Sequence, residues 1–73
     1  MAKIQAKTEV TGVVAMLEAK VGNHVEAGDT ILFIESMKMQ IPVIVEEACT
    51  LRQITVATGD AVSEGQVVAI LES

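Results

Sequence analysis

Few side chains in this sequence could do chemistry. Its 73 residues include one histidine, His24, and one cysteine, Cys49. A lone His without a second ligand makes no metal site and is expected to be merely exposed, on a turn. A lone Cys forms no internal disulfide, and Cys49 reads as a small buried residue. The residue that stands out is an amine. Lys38 sits between Met37 and Met39, and the triplet lies between the strand-like runs Ile31–Ile34 and Ile41–Val45. A tight hairpin turn needs positive φ, which Gly, Asn and Asp adopt cheaply. The other tight turns of the chain use Gly, yet this one uses Met-Lys. A tip so short is exposed, so two large apolar side chains and an amine occupy a place where Asn-Gly is the local optimum. Such local violations mark functional sites. A plain solvated lysine, with the methionines tucked into the core, is the competing reading, and the residues alone leave both open. Lys3, Lys7 and Lys20 lack these surroundings and read as surface charges.

The elements that must position Lys38 are strands. Short runs rich in Val and Ile (Ile4–Val10, Val13–Val21, Ile31–Ile34, Ile41–Val45, Leu51–Val56 and Val67–Leu71) are separated by Gly-Asn, Gly-Asp and Glu-Gly pairs, which are turn signals. The stretch Val14–Lys20 is bounded by glycines and reads as strand, not helix. The class is all-β, a sandwich or barrel. A shift of 37 lays residues 12–36 on residues 49–73 without a gap, matching Gly22 with Gly59, Val25 with Val62, Gly28 with Gly65, Glu35 with Glu72 and Ser36 with Ser73. The identities fall at turn glycines and strand ends, where backbone geometry restricts residue choice most. Ile4 likewise falls on Ile41. Two copies of a β-unit that cannot bury its apolar face alone imply two similar sheets packed face to face with approximate two-fold symmetry. Met37–Met39 is then the turn joining the halves, at the pole opposite the chain ends.

Composition bounds the rest. The length suits one domain, residues 1–73, which buries only about 60% of its unfolded surface. With one aromatic residue, Phe33, the core must be aliphatic. The net charge of −5 argues against a nucleic-acid backbone as partner, and one Phe offers almost no stacking platform. No apolar run is long enough to cross a bilayer and the N-terminal residues lack a signal-peptide core. A cytoplasmic protein that binds neither membrane nor nucleic acid is the expectation. No metal-ligand cluster or catalytic constellation is visible.

Glu35-Ser36-Met37-Lys38-Met39 resembles the attachment motif of biotin carboxyl carrier domains, usually written Ala-Met-Lys-Met. The resemblance covers nearly the whole chain: Val21–Asp29 and Thr58–Gln66 look like the two Gly-containing segments that flank the motif in that family, and Met39–Pro42 resembles the strand leaving the attachment turn. Ser36 replaces the commoner Ala, and Cys49 stands where the family usually has Gly. The segment between Gly12 and Gly22 is too short for the protruding thumb of some acetyl-CoA carboxylase carriers. A free-standing minimal carrier, or a domain excised from a larger enzyme, is expected.

The resemblance implies a flattened, pseudo-two-fold β-sandwich or barrel of two four-stranded sheets, with biotin amide-linked to Lys38 by a biotin protein ligase. Met37 and Met39 would contact the ligase. Glu35 and Ser36 flank the motif, and the match of Glu35 to Glu72 at a chain end favours a structural or solubility role for Glu35. An ammonium must lose a proton before it attacks, and no base in this chain is an obvious candidate, so the ligase must supply deprotonation and orientation. The implied role is that of a non-catalytic carrier, moving a carboxyl group from biotin carboxylase to a carboxyltransferase. An acyl-CoA acceptor is expected, although related carriers also serve pyruvate and urea carboxylation. A shuttle that visits two active sites is expected to be monomeric. Two alternatives remain: lipoate on Lys38, alone or as the second group of a dual biotin/lipoyl attachment protein, although lipoyl domains typically show Asp-Lys-Ala there, and a non-carrier interaction module that keeps the fold.

Overall fold

Apolar β-branched runs cut at fixed intervals by glycine leave little but short strands joined by tight turns, and the computed structural model of the chain has that form. It describes residues 2–73; Met1, the first residue of the expected domain, lies outside them. The strands are β1 (Lys3–Lys7), β2 (Gly12–Leu17), β3 (His24–Val25), β4 (Thr30–Ser36), β5 (Met39–Ile44), β6 (Cys49–Ile54), β7 (Ala61–Val62) and β8 (Val67–Glu72), with no helix among the described residues. None of them could therefore cross a membrane as a helix.

The strands form two four-stranded antiparallel sheets, the first ordered β1-β8-β6-β3 and the second β5-β4-β2-β7. The repeat accounts for this order. Adding 37 to residue numbers carries β1 onto β5, β2 onto β6, β3 onto β7 and β4 onto β8, and so turns each sheet into the other. Even the irregularities repeat. The register slips in β2 between Val14 and Met16 and in β6 between Leu51 and Gln53, and these positions correspond. The slip at Ala6/Lys7 against β8 likewise matches the slip at Thr30/Leu32 against β5.

Four turns share one construction. In Lys20–Asn23, Glu26–Asp29, Ala57–Asp60 and Ser63–Gln66 the fourth residue donates its N–H to the first carbonyl. Its side-chain oxygen accepts from the first N–H at 2.9–3.0 Å. The third residue is Gly at φ of 86–97°, the left-handed position that a type II turn demands.

The core lies between the sheets. Ile31, Leu32 and Ile34 of β4, Val68, Ala69 and Leu71 of β8, and Val14 and Leu51 belong to one buried cluster, and all are essentially solvent-free. The buried Thr8 satisfies its hydroxyl locally, donating to the Val10 carbonyl at 2.8 Å and accepting from the Val10 N–H.

Three sequence expectations need correction. The run Val13–Val21 is strand only to Leu17; beyond it the N–H groups of Glu18 and Ala19 both donate to the Ile31 carbonyl, and the chain bends away. His24 is exposed as expected, but on β3 and not on a turn, where it pairs with Thr50. Residues 37–39 are not all turn: Met39 opens β5 and pairs with Ser36.

Candidate functional site

Strand β4 and the edge strand β5 of the second sheet run side by side to a two-residue loop. Thr30↔Ile44, Phe33↔Pro42, Glu35↔Gln40 and Ser36↔Met39 face one another, leaving Met37 and Lys38 to close the hairpin. Their φ values are 53° and 65°, and no other non-glycine among the described residues has positive φ. Positive φ at both loop positions is the type I′ geometry, whose twist matches that of the flanking strands. For L-residues it costs about 1–2 kcal/mol each. The strain is held by the stem: Ile34 is fully buried, and β2 closes against the β4 arm at Gly12. A Cβ there would overlap the Glu35 carbonyl and approach Ile34 Cγ2 to 2.8 Å, so the neighbouring strand sits backbone to backbone on the stem.

The tip is bare. Met37 is 92% and Met39 65% exposed, and Lys38 is exposed between them. The methionines are not tucked into the core, which removes the competing reading of those two side chains. Among the described residues the ion pairs are His24–Glu26 and Arg52–Glu72, so no carboxylate holds the Lys38 amine. Ser36 is half-buried at the end of β4 and Glu35 is exposed.

The Glu35–Glu72 correspondence now reads differently. Glu72 accepts from Arg52 Nε at 3.0 Å, a structural task, whereas the position corresponding to Arg52 is Ala15, so Glu35 has no such cation beside it. The pair His24 Nε2···Glu26 Oε2, at 2.6 Å, was not anticipated. It joins alternate residues on one exposed edge, and nothing in the sequence distinguishes it from other surface polar pairs. Cys49, corresponding to Gly12, is buried at the start of β6. Burial, and then the nearby Glu47 carboxylate, push its thiol above the ordinary value of 9.0, which makes it a poor nucleophile at neutral pH.

An exposed primary amine on a rigid tip, free of competing contacts and flanked by two apolar side chains, is suited to acylation by an outside enzyme. The sequence matches, over residues 4–71, the family described as biotin-requiring enzyme. It is similar to a biotinylated protein TB7.3 homolog of Mycobacterium leprae, 29% identical over 65 residues covering 89% of this chain and 92% of that one. It is also similar to the biotin/lipoyl attachment protein of Bacillus subtilis, again 29% identical over 65 residues, with 89% of each covered. Among solved structures, that of Kluyveromyces lactis urea carboxylase superposes with a TM-score of 0.92 at 34% identity, over 97% of this chain but only 6% of that much longer one.

Proposed function

The chain belongs to the biotin-requiring-enzyme family, and from that premise we propose that it is a biotin carrier whose Lys38 amine bears the cofactor as an amide. The observation that carries this reading is the tip itself: an unencumbered amine at the end of the one turn whose residues break the local rules. The residues fit the group, because among the described residues Lys38 has no ion-pair partner to surrender and it stands exposed at the tip.

Each nearby residue has a part. The type I′ turn fixes the direction in which the Lys38 stem leaves the sheet. Met37 and Met39 offer the ligase apolar, adaptable contacts on either side of the amine. The half-buried Ser36 keeps the end of β4 slim where the turn begins. Acylation removes one positive charge, taking the net charge of −5 to −6. Bound biotin supplies the ureido nitrogen on which a carboxyl group is carried. We infer the route from a biotin carboxylase to a carboxyltransferase, which selects the acceptor, and catalysis at both stations belongs to those enzymes.

The test is intact-protein mass spectrometry after co-expression with an active biotin protein ligase. One biotinyl adduct is expected on the wild type and none on Lys38→Arg. A folded wild-type protein that acquires no adduct would falsify the proposal, and a lipoyl adduct formed in preference by a lipoate ligase would replace biotin with lipoate.

A further inference from the structure

The repeat relates the outer faces of the two sheets position by position, and the two faces differ in chemistry. On the second sheet Met16 faces Phe33 and Phe33 faces Pro42, Val13 faces Ala61, and Ile44 lies opposite Thr30. Cross-strand partners share a face, so these residues form one outward surface, apolar except for Thr30 and for the pair Glu35–Gln40 beside Val13 at its hairpin end. Val13, Met16 and Ile44 are 43%, 44% and 50% exposed. At the corresponding positions the first sheet has Thr50, Gln53, Ile70, Gln5, His24 and Lys7. The strands of the first sheet carry Lys3, Lys7, His24, Arg52 and Glu72; those of the second carry a single ionisable side chain, Glu35. The fold therefore tolerates a polar outer face, and the apolar one is not a demand of packing. An apolar surface of this kind marks a contact site.

We propose that this face of the second sheet is the docking surface for the biotin carboxylase that loads the arm, an inference that rests on the carrier reading above. Two observations favour an enzyme that works at the end of the arm over a second copy or the ligase. The ends of the strands place exposed Glu18, Asp29, Glu46 and Asp60 around the apolar surface, and none of the five lysines and arginines lies in a strand of this sheet. Two copies set face to face would oppose carboxylate to carboxylate, so charge favours a partner whose apolar patch has a basic border. The second observation is distance. Phe33 and Pro42 lie three residues, and Ile44 five, from the strand ends at the hairpin, a setback of roughly 10–17 Å. A biotinyl-lysine arm has about eleven bonds from Cα to ring, roughly 13 Å at ~1.2 Å per bond of extended chain. An enzyme seated on the face keeps its active site within reach of the arm's end, whereas the ligase must close on the amine itself.

The probe is the biotin carboxylase of the source organism, titrated into isotope-labelled Lys38→Arg protein and followed by NMR, so that neither the arm nor turnover enters the readout. Perturbed amides at Val13, Met16, Phe33 and Ile44 are expected. The variant carrying the other sheet's residues, Val13→Thr/Met16→Gln/Ile44→Lys, is expected to bind at least tenfold more weakly when Lys38 is likewise Arg. With Lys38 retained, that variant should be biotinylated at the wild-type rate. Perturbations confined to the hairpin or to the first sheet, absent with every biotin carboxylase of that organism, or produced more strongly by its carboxyltransferase, overturn the proposal. So does a raised KM for the ligase in the triple variant, which would assign the face to the ligase, or concentration-dependent shifts without enzyme, which would assign it to a second copy. A failure of the Lys38 reading shows separately, as a wild type without adduct.

Discussion

Met37 and Lys38 hold a conformation that L-residues avoid, whereas the four turns of shared construction reach positive φ with glycine. If the strain is tolerated for what the side chains do, relieving it should separate stability from modification. Asn accepts the left-handed region more readily than Met, so Met37→Asn is expected to stabilise the fold by about 0.5–1 kcal/mol, a few degrees in Tm. The same change should reduce kcat/KM for biotinylation, and an unchanged value would remove Met37 from the recognition surface. Cys49 supports a prediction of opposite character. Its folded thiol titrates above the ordinary value of 9.0, so as pH rises past 9 the unfolded chain loses its proton first. The contribution of Cys49 is then fully present below pH 9 and is lost as pH climbs through the raised value. Chemical denaturation between pH 7 and 11 should show this decline in the wild type and a smaller one in Cys49→Ala. Slow reaction of the native thiol with a disulfide reagent at pH 8 is expected for the same reason.

Strand β2 is packed so tightly on the hairpin stem that one methyl group should be felt. Gly12→Ala would drive its Cβ onto the Glu35 carbonyl and Ile34 Cγ2, and overpacking of this kind costs about 1–3 kcal/mol. A lower urea midpoint with an unchanged m-value is the expected result, and a neutral substitution would show that β2 yields. Six of the eight strands were legible in the sequence: β2, β4, β5 and β8 each hold at least three Val, Ile or Leu residues, while β1 and β6, with one and two, were legible as parts of the longer runs Ile4–Val10 and Leu51–Val56. Strands β3 and β7 were not legible as separate runs, since two residues carry no periodicity; their existence followed only from the family resemblance. The end of β2 was misread because strand-like alternation continues after the ladder stops, with Ala19 and Val21 between Glu18, Lys20 and Gly22, and what ends the ladder is a carbonyl on another strand, Ile31. The hairpin was found by its wrong turn residues. The exposure of its methionines needed the structure, because alternation along β5 gives Met39 the same parity as the buried Val43, and only the missing neighbours at the tip leave it bare.

Taken whole, the chain is a two-fold object interrupted at one place. Ser36 and Met39 flank the attachment turn, and the positions corresponding to them are Ser73 and Ala2, where the Ser73 N–H donates to the Ala2 carbonyl at 3.0 Å. The ends therefore meet as the two arms of the hairpin do. Replacing Met1 by an Asn-Gly link from Ser73 to Ala2, and opening the chain between Thr58 and Gly59, is expected to give a permutant that folds and is still biotinylated at Lys38. Circular dichroism and mass spectrometry check both, and an unfolded permutant would show that the turn at Ala57–Asp60 must be continuous. This meeting of the ends also has a mechanical consequence. Because β1 and β8 are antiparallel neighbours with Lys3 opposite Glu72, a pull on Ala2 and Ser73 acts across the ladder at one end. Its bonds would open in sequence, like a zip, and would not share the load in shear. The domain should yield at low force when stretched through its ends, with β1 peeling away first and the hairpin-bearing sheet the last to feel the tension.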